Sequence, residues 1–368
     1  MKETEVKKMG LILTEAIEGI EPSSEEWRQK AKRHLNNLAI PQGSLGQLLS
    51  LAEQLASIKQ TLTPSVRRKT VVTMAGDHGV VAEGVSAFPQ EVTIQMVGNF
   101  VAGGAAINVL AESAGAQVLV VDMGVAADLS EYVIDGRILS RKVDYGTQNM
   151  SKGPAMTREQ AIQGLEAGIN LAGDLVREGV ELLATGDMGI GNTTSSSAIL
   201  AVFSGLSVQE VTGRGTGIDD VALKNKIRVI QQALDVNQPD AKDPLDVLEK
   251  VGGFEIAGIA GLILGAAYYK VPVLVDGFIS TAGAMLAKEL APYSLDYMIA
   301  AHQSMEYGHK LMLKELGLQP ILNLDLRLGE GTGAALAMTV VEASTRVIGK
   351  MMTFEDAGVS RDAARVND

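Results

Sequence analysis

Six short runs rich in β-branched and other apolar residues recur along the chain, and each stops abruptly at a glycine, an acid or a histidine. They are KTVVTMAGDHG (69–79), AQVLVVDMG (116–124), VELLATGDMG (180–189), VPVLVDGF (271–278), DYMIAAHQS (296–304) and PILNLDLRLGEG (320–331). The apolar positions are continuous rather than alternating, so strands made from them are buried on both faces, as in a parallel sheet covered by helical crossovers. Amphipathic or Ala/Gly-rich stretches of helical character separate them, at 91–111, 157–177, 193–203, 219–234, 255–268, 280–290, 303–316 and 331–347. This alternation predicts an α/β fold, a Rossmann-like parallel sheet flanked by helices.

Residues 1–65 depart from that pattern, with a charged helix near 24–37, the punctuated LAIPQGSLGQL (38–48) and a further helix to about 60. The C-terminal MTFEDAGVSRDAARVND is polar and reads as peripheral. The expected organisation is a helical subdomain over 1–65, with 340–368 as a candidate contributor, beside an α/β catalytic domain over 66–339.

In open parallel sheets, ligands collect outside the carboxyl ends of the strands. Asp77, His78, Asp122, Asp187, Asp276, His302 and Glu330 all fall at such ends. Any one of them reads as a loop polar residue or a helix cap. Their repetition from strand to strand points to one shared cleft.

Composition removes several classes of function. Lys and Arg number 32 against 44 Asp and Glu, for a net charge of −12, and no basic run stands out, so nucleic acid is not an expected partner. The absence of cysteine excludes disulfides, thiol nucleophiles and thiolate metal sites, and fits a reducing cytoplasm. The four histidines (His34, His78, His302, His309) form neither H-E-x-x-H nor a two-histidine-one-carboxylate spacing, so no metal is expected. Near the N-terminus, Glu15, Glu18 and Glu21 interrupt any signal-peptide core on a helical period. The most apolar stretch, IAGIAGLILGAA (256–267), is bounded by Glu255 and Lys270 and falls short of the ~20 residues that span a bilayer. It reads as a buried helix, and no membrane partner is expected. A P-loop, a G-x-G-x-x-G fingerprint and a G-x-S-x-G elbow are all missing from the sequence.

Three glycine clusters remain: Gly186, Gly189 and Gly191; Gly213, Gly215 and Gly217; Gly329, Gly331 and Gly333. Glycine at a helix start lets several N–H groups converge on an anion, and Asn192, Thr193 and Thr194 would add side-chain donors. Each cluster also reads as a plain strand-to-helix turn. Glu330 has two readings of its own. Beside Leu328 it is a desolvated carboxylate suited to general-base work; ahead of GTGAALAMTVVEA it is a carboxylate stabilised by a helix dipole. Asp187, next to Met188, carries the same ambiguity.

The joint pattern PQGSLGQL (41–48), AGDHGV (75–80), GDMGIGNTT (186–194), GRGTGIDDVALKNKIRVI (213–230), DPLDVLEKVGGFEIAGIAG (243–261), VLVDGFISTAGA (273–284) and RLGEGTGAALAM (327–338) resembles the nicotinate-nucleotide:dimethylbenzimidazole phosphoribosyltransferase family over about residues 35–350. The resemblance implies transfer of the 5-phosphoribosyl group from nicotinate mononucleotide to 5,6-dimethylbenzimidazole, giving α-ribazole 5′-phosphate and nicotinate in cobalamin biosynthesis, by a homodimer without a cofactor. It implies that Glu330 takes the azole proton, assisted by Asp187 and Lys226. It further implies phosphoribosyl contacts from Gly189, Gly191, Asn192, Thr193, Thr194, Gly215, Thr216, Asp276 and Ser304. The azole slot falls to Phe88, Met96, Met188 and Leu328, with Gln95 or Gln90 nearby.

One position departs from the reference member of the family, which carries glutamate where this chain has Asp187. A carboxylate one methylene shorter sits ~1.5 Å away, and a misplacement of ~1 Å can cost about 10²-fold. Asp187 therefore acts through a water or a shifted backbone, or its role is positional. The alternatives to the main reading are a transferase of the same fold preferring another base and a non-catalytic protein that binds ribosyl phosphates.

Overall fold

Parallel strands β1 (Lys69–Gly76), β2 (Gln117–Gly124), β3 (Leu139–Ser140), β4 (Leu182–Met188), β5 (Val273–Val275) and β6 (Met298–Ala300) make one sheet of order β3-β2-β1-β4-β5-β6. The computed structural model describes residues 3–215 and 217–360. Thr216, an expected phosphoribosyl contact, and residues 361–368, part of the expected C-terminal contribution, lie outside the described residues.

The period-two geometry of a strand sends alternate side chains to opposite faces, and the two faces feed two cores. Val72 and Met74 of β1 join one apolar cluster with the Arg158–Arg177, Phe254–Tyr268 and Phe278–Leu290 helices. Val71 and Ala75 join the other, with the Ala106–Ser113 and Thr332–Lys350 helices. This double coverage is why the runs read as continuously apolar. The strand order reverses between β1 and β4, and that switch point is where a crevice opens in doubly wound sheets. Asp77 and His78 leave the end of β1 there, and Asp187 lies near the end of β4.

The Phe254–Tyr268 helix is buried from Phe254 to Ala267. It approaches the Arg158–Arg177 helix so closely that a Cβ at Gly261 would lie 2.0 Å from the Leu165 carbonyl oxygen. Its Gly/Ala-rich composition therefore serves helix contact inside the protein. Nearer the N-terminus, Leu13, Ala16 and Ile20 join the first core, while the Glu25–Asn36 and Gln47–Lys59 helices meet Ile348 in a small third cluster.

Three expectations need correction. The run 320–331 is not a strand: it forms one parallel bridge, Leu322 to His302, and then Gly329, Glu330 and Gly331 take φ of +85°, +64° and +94°. Three successive left-handed residues cannot continue a pleated strand. The expected helix over 91–111 is two helices, Val92–Val101 and Ala106–Ser113. Gly103 turns at φ +74°, and the Ala105 N–H donates to Asn108 Oδ1 at 3.1 Å to start the second helix. The helix expected over 303–316 begins only at His309, because Ser304 Oγ accepts from the Glu306 N–H and ties 304–306 into a turn.

Candidate active site

A cavity of about 420 Å³ opens at the carboxyl edge of the sheet. It brings together Phe88, Met96, Asp187, Met188, Gly189, Asn192, Thr193, Gly215, Ser304, Leu328 and Glu330 of the expected site residues. Lys226, Asp276, Gly191 and Thr194 do not line it. Lys226 reaches it through Thr193, Asp276 through the loop that carries Glu330, and Gly191 and Thr194 lie at the start of the Asn192–Ser204 helix. Gln95 is exposed on the Val92–Val101 helix and is absent from the lining. Ile190, Gly277, Phe278, Ile279, His302, Glu306 and Arg327 line the cavity as well. Of these, His302 carried a signal as a strand-end histidine, and Phe278 and Ile279 follow the acid that ends β5. Glu306 and Arg327 gave none, since each is one charge in a loop.

Glu330 is set by its backbone. A non-glycine residue at φ +64° carries strain of about 1–3 kcal/mol, which only surrounding contacts can sustain. Its N–H donates to the Asp187 carbonyl at 3.2 Å, and its own carbonyl accepts from Thr73 Oγ1 at 2.9 Å. That carbonyl also covers Gly186, where a Cβ would come within 2.3 Å of it. The GDMG glycine is thus the seat of the Glu330 loop, and the two motifs are halves of one contact.

The Thr332–Lys350 helix is capped by Asp276, whose carboxylate accepts from the Gly331 N–H at 3.2 Å and the Ala334 N–H at 2.8 Å. The Glu330 side chain turns away and accepts from the Ile107 N–H at 3.3 Å, in the first turn of another helix. Burial raises its pKa, the Ile107 amide opposes the shift and the Asp276 charge adds to it. Such a carboxyl group binds a proton more readily than a solvated glutamate.

Asp187 is buried, and its Oδ2 accepts from Asn192 Nδ2 at 3.1 Å while Oδ1 has no partner among the described residues. Burial holds its pKa well above the ordinary carboxylate value, the charges of Asp276 and Glu255 push the same way, and Asn192 opposes. It keeps a proton, and so acts as a donor, over more of the pH range than a solvated aspartate.

Behind Thr193, which lines the cavity, stands a buried cation. Lys226, on the Asp220–Asn237 helix, is 1% exposed and donates from Nζ to Thr193 Oγ1 at 2.6 Å. Burial lowers its pKa to about 8, against the pull of Glu306. The N-terminus of the Asn192–Ser204 helix points at the same end of the cavity, and a helix start together with a cation attracts an anion. Beside it, His309 Nδ1 accepts from the Ser304 N–H at 2.8 Å. Its Nε2 therefore carries the hydrogen and donates to Thr281 Oγ1 at 2.9 Å. Burial, aided by His302, lowers the His309 pKa to about 3, which keeps this clamp on the Ser304 loop neutral.

Below the cavity floor lies a buried ion pair. Ser195 Oγ donates to the Gly252 carbonyl at 3.2 Å, so His78 Nδ1, 3.1 Å away, donates to Ser195. His78 Nε2 meets Glu255 Oε1 at 2.6 Å. Burial disfavours the imidazolium, but the charges of Glu255 and Asp77 outweigh it and raise the His78 pKa.

Strand order and crevice together define a doubly wound α/β protein whose ligand cavity is lined by buried carboxyl groups and by a threonine that holds a buried lysine. The chain belongs to the DBI_PRT family, described as Phosphoribosyltransferase, whose family model matches residues 20–359. It is 57% identical over 349 residues to the nicotinate-nucleotide–dimethylbenzimidazole phosphoribosyltransferase of Geobacter sulfurreducens, covering 95% of this chain and 98% of that one. With the enzyme of the same name from Desulforamulus reducens it shares 53% over 351 residues, covering 95% and 99%. Among solved structures, CobT from Thermus thermophilus superposes with a TM-score of 0.88 at 46% identity, covering 92% of this chain and all of that one.

Proposed function

We propose that this chain transfers the 5-phosphoribosyl group of nicotinate mononucleotide to 5,6-dimethylbenzimidazole, yielding α-ribazole 5′-phosphate and nicotinate. Its relatives carry the name of that reaction. The observation that carries the reading is one cavity lined by the Glu330 carboxyl group and by Thr193 and Gly215, with Lys226 held on Thr193.

In this mechanism the substrate phosphate lies against Gly189, Asn192, Thr193, Gly215 and Ser304, with Lys226 supplying positive charge. Gly191 and Thr194 shape the same helix start, and Asp276 acts on the sugar only through the loop it caps. The azole occupies the apolar side formed by Phe88, Met96, Met188 and Leu328. One azole nitrogen attacks C1′ of the ribosyl group from the face opposite nicotinate, which inverts the anomeric centre. The C1′–N bond to the pyridinium ring breaks and its electron pair returns to that ring, releasing nicotinate with its ring neutral. The proton on the second azole nitrogen passes to Glu330, whose raised pKa matches the task. The buried carboxyl groups stabilise the oxocarbenium character that develops at C1′. Asp187 supports the Glu330 loop through its carbonyl and serves as a helper to the base.

Phe88 and Leu328 of the lining are exposed, as are Met305 and Tyr307 on either side of Glu306, apolar surface that suits closure by a second subunit of a homodimer.

The direct test is to incubate the protein with nicotinate mononucleotide and dimethylbenzimidazole, without added metal, and to separate the products by chromatography. Formation of α-ribazole 5′-phosphate with equimolar nicotinate is expected. Failure to turn over any benzimidazole would end the proposal.

A further inference from the structure

His302 has no part in the mechanism above, yet it is the most conspicuous unsatisfied group in the cavity. Its side chain is 1% exposed, it lines the cavity, and neither ring nitrogen has a hydrogen-bond partner among the described residues. Buried imidazoles normally find a partner for both nitrogens. The nearby carboxylate of Asp276 places Oδ1 at 3.6 Å from His302 Nε2, beyond hydrogen-bonding distance. The Asp276 oxygens are already taken by the Gly331 and Ala334 amides. Space has been kept for the ring all the same. A Cβ at Gly333 would lie 1.9 Å from His302 Cδ2. The backbone that follows the ring is held, since the Gln303 N–H donates to the Leu322 carbonyl at 2.8 Å and the Ser304 N–H to His309 Nδ1 at 2.8 Å.

We propose that His302 is the group that recognises a ribose hydroxyl, hydrogen-bonding the 2′- or 3′-oxygen of the phosphoribosyl moiety. This rests on the phosphoribosyl reading of the site. Position supports it: His302 precedes by two residues Ser304 on the anion side, and its neighbour Asp276 caps the loop that carries Glu330. A sugar bridging a phosphate at one end and a reacting C1′ at the other must pass between them. A hydroxyl is both donor and acceptor, so it can satisfy an imidazole nitrogen in either tautomer. A buried ring left without a protein partner is then the mark of a site completed by its ligand.

The test compares nicotinate mononucleotide with its 2′-deoxy and 3′-deoxy analogues, in wild type, His302→Ala and His302→Asn, by kcat/KM and by calorimetric binding without the azole. In wild type one deoxy analogue is expected to lose about 10- to 100-fold, as a site built to hydrogen-bond a hydroxyl rejects the analogue lacking it. In His302→Ala the parent nucleotide should fall by a similar factor and that analogue should fall no further, so discrimination collapses to about 3-fold or less. His302→Asn retains a hydrogen-bonding group in a smaller frame and should recover part of it, which also covers the case in which the alanine variant fails to fold. Full discrimination in His302→Asn and His302→Ala, or no discrimination in wild type, would overturn the role of His302. The binding arm separates this from the reaction itself. Hydroxyl-dependent binding without turnover of any benzimidazole counts against the proposed reaction and supports His302.

Discussion

Replacing Lys226 by methionine is expected to make the unliganded protein more stable and the enzyme worse. The side chain is 1% exposed, and burial takes its pKa from the ordinary lysine value of 10.5 to about 8. At about 1.4 kcal/mol per unit, keeping the ammonium charged inside the fold costs about 3 kcal/mol. The unfolded chain holds this proton up to about pH 10.5 while the native chain releases it near 8. Between those values the unfolded state binds more protons, so native stability rises with pH there, and below about pH 8 the full cost is present. Methionine fills a similar volume without the charge. It gives up the hydrogen bond to Thr193 Oγ1, worth about 1 kcal/mol, so the net gain near pH 7 is about 1–2 kcal/mol and vanishes towards pH 10.

Urea unfolding of both proteins across that pH range measures the difference directly. A variant less stable than wild type near pH 7, or a gain that does not shrink as pH rises, would refute the account of Lys226 as a buried, costly cation. The ligand supplies the other half of the argument. A bound phosphate favours the ammonium form, so calorimetry of nicotinate mononucleotide binding near pH 8 in buffers of different ionisation enthalpy should reveal proton uptake by wild type. In Lys226→Met the uptake should be absent and binding about 10- to 100-fold weaker, the loss of one charge-assisted contact.

Three more substitutions probe the site and its support. Glu330→Gln should lower kcat by about 10²–10⁴-fold with nicotinate mononucleotide binding changed by less than about 3-fold, measured by steady-state kinetics and calorimetry; a near-normal kcat would leave Glu330 as a structural carboxylate. Asp187→Asn keeps the Asn192 side and the backbone contact to Glu330, so a loss of about 10-fold is expected, and a loss as large as that of Glu330→Gln would assign Asp187 a direct chemical role. Gly261→Ala puts a methyl group 2.0 Å from the Leu165 carbonyl and should destabilise by about 1–3 kcal/mol. An unchanged melting temperature would show that the two helices do not depend on that approach.

Much of the architecture was legible because burial on both faces leaves a signature in sequence: continuous apolar runs ended by polar residues. The runs ending at Asp77, Asp187 and Asp276 became β1, β4 and β5 on that ground. The same rule misread 320–331. Its apolar residues do face a core, since Ile321 and Leu322 pack on the second cluster, but apolarity cannot reveal that Gly329, Glu330 and Gly331 are all left-handed. Nor can periodicity detect a two-residue strand such as Leu139–Ser140, too short to show a period. Asp276 was legible as a strand-end acid and not as a helix cap, because its partners, the Gly331 and Ala334 amides, lie more than fifty residues on.

The glycines of GDMG show what a motif can and cannot say. Read along the chain, they resemble an anion cradle, and Gly189 does line the cavity. Gly186 answers to a different demand, since the Glu330 carbonyl rests where its side chain would be. The Asp187 carbonyl accepts the Glu330 N–H, and the Asp187 carboxylate lies 3.1 Å from where a Cβ on Gly329 would stand. Strand β4 thus ends in a platform on which a strained loop is held, and the loop presents the carboxylate. A glutamate in place of Asp187 would carry its charge farther from this platform. The shorter acid keeps one oxygen on Asn192 and leaves the other beneath the loop without a partner among the described residues. That placement favours Asp187 as the residue that holds the base in position over Asp187 as the base.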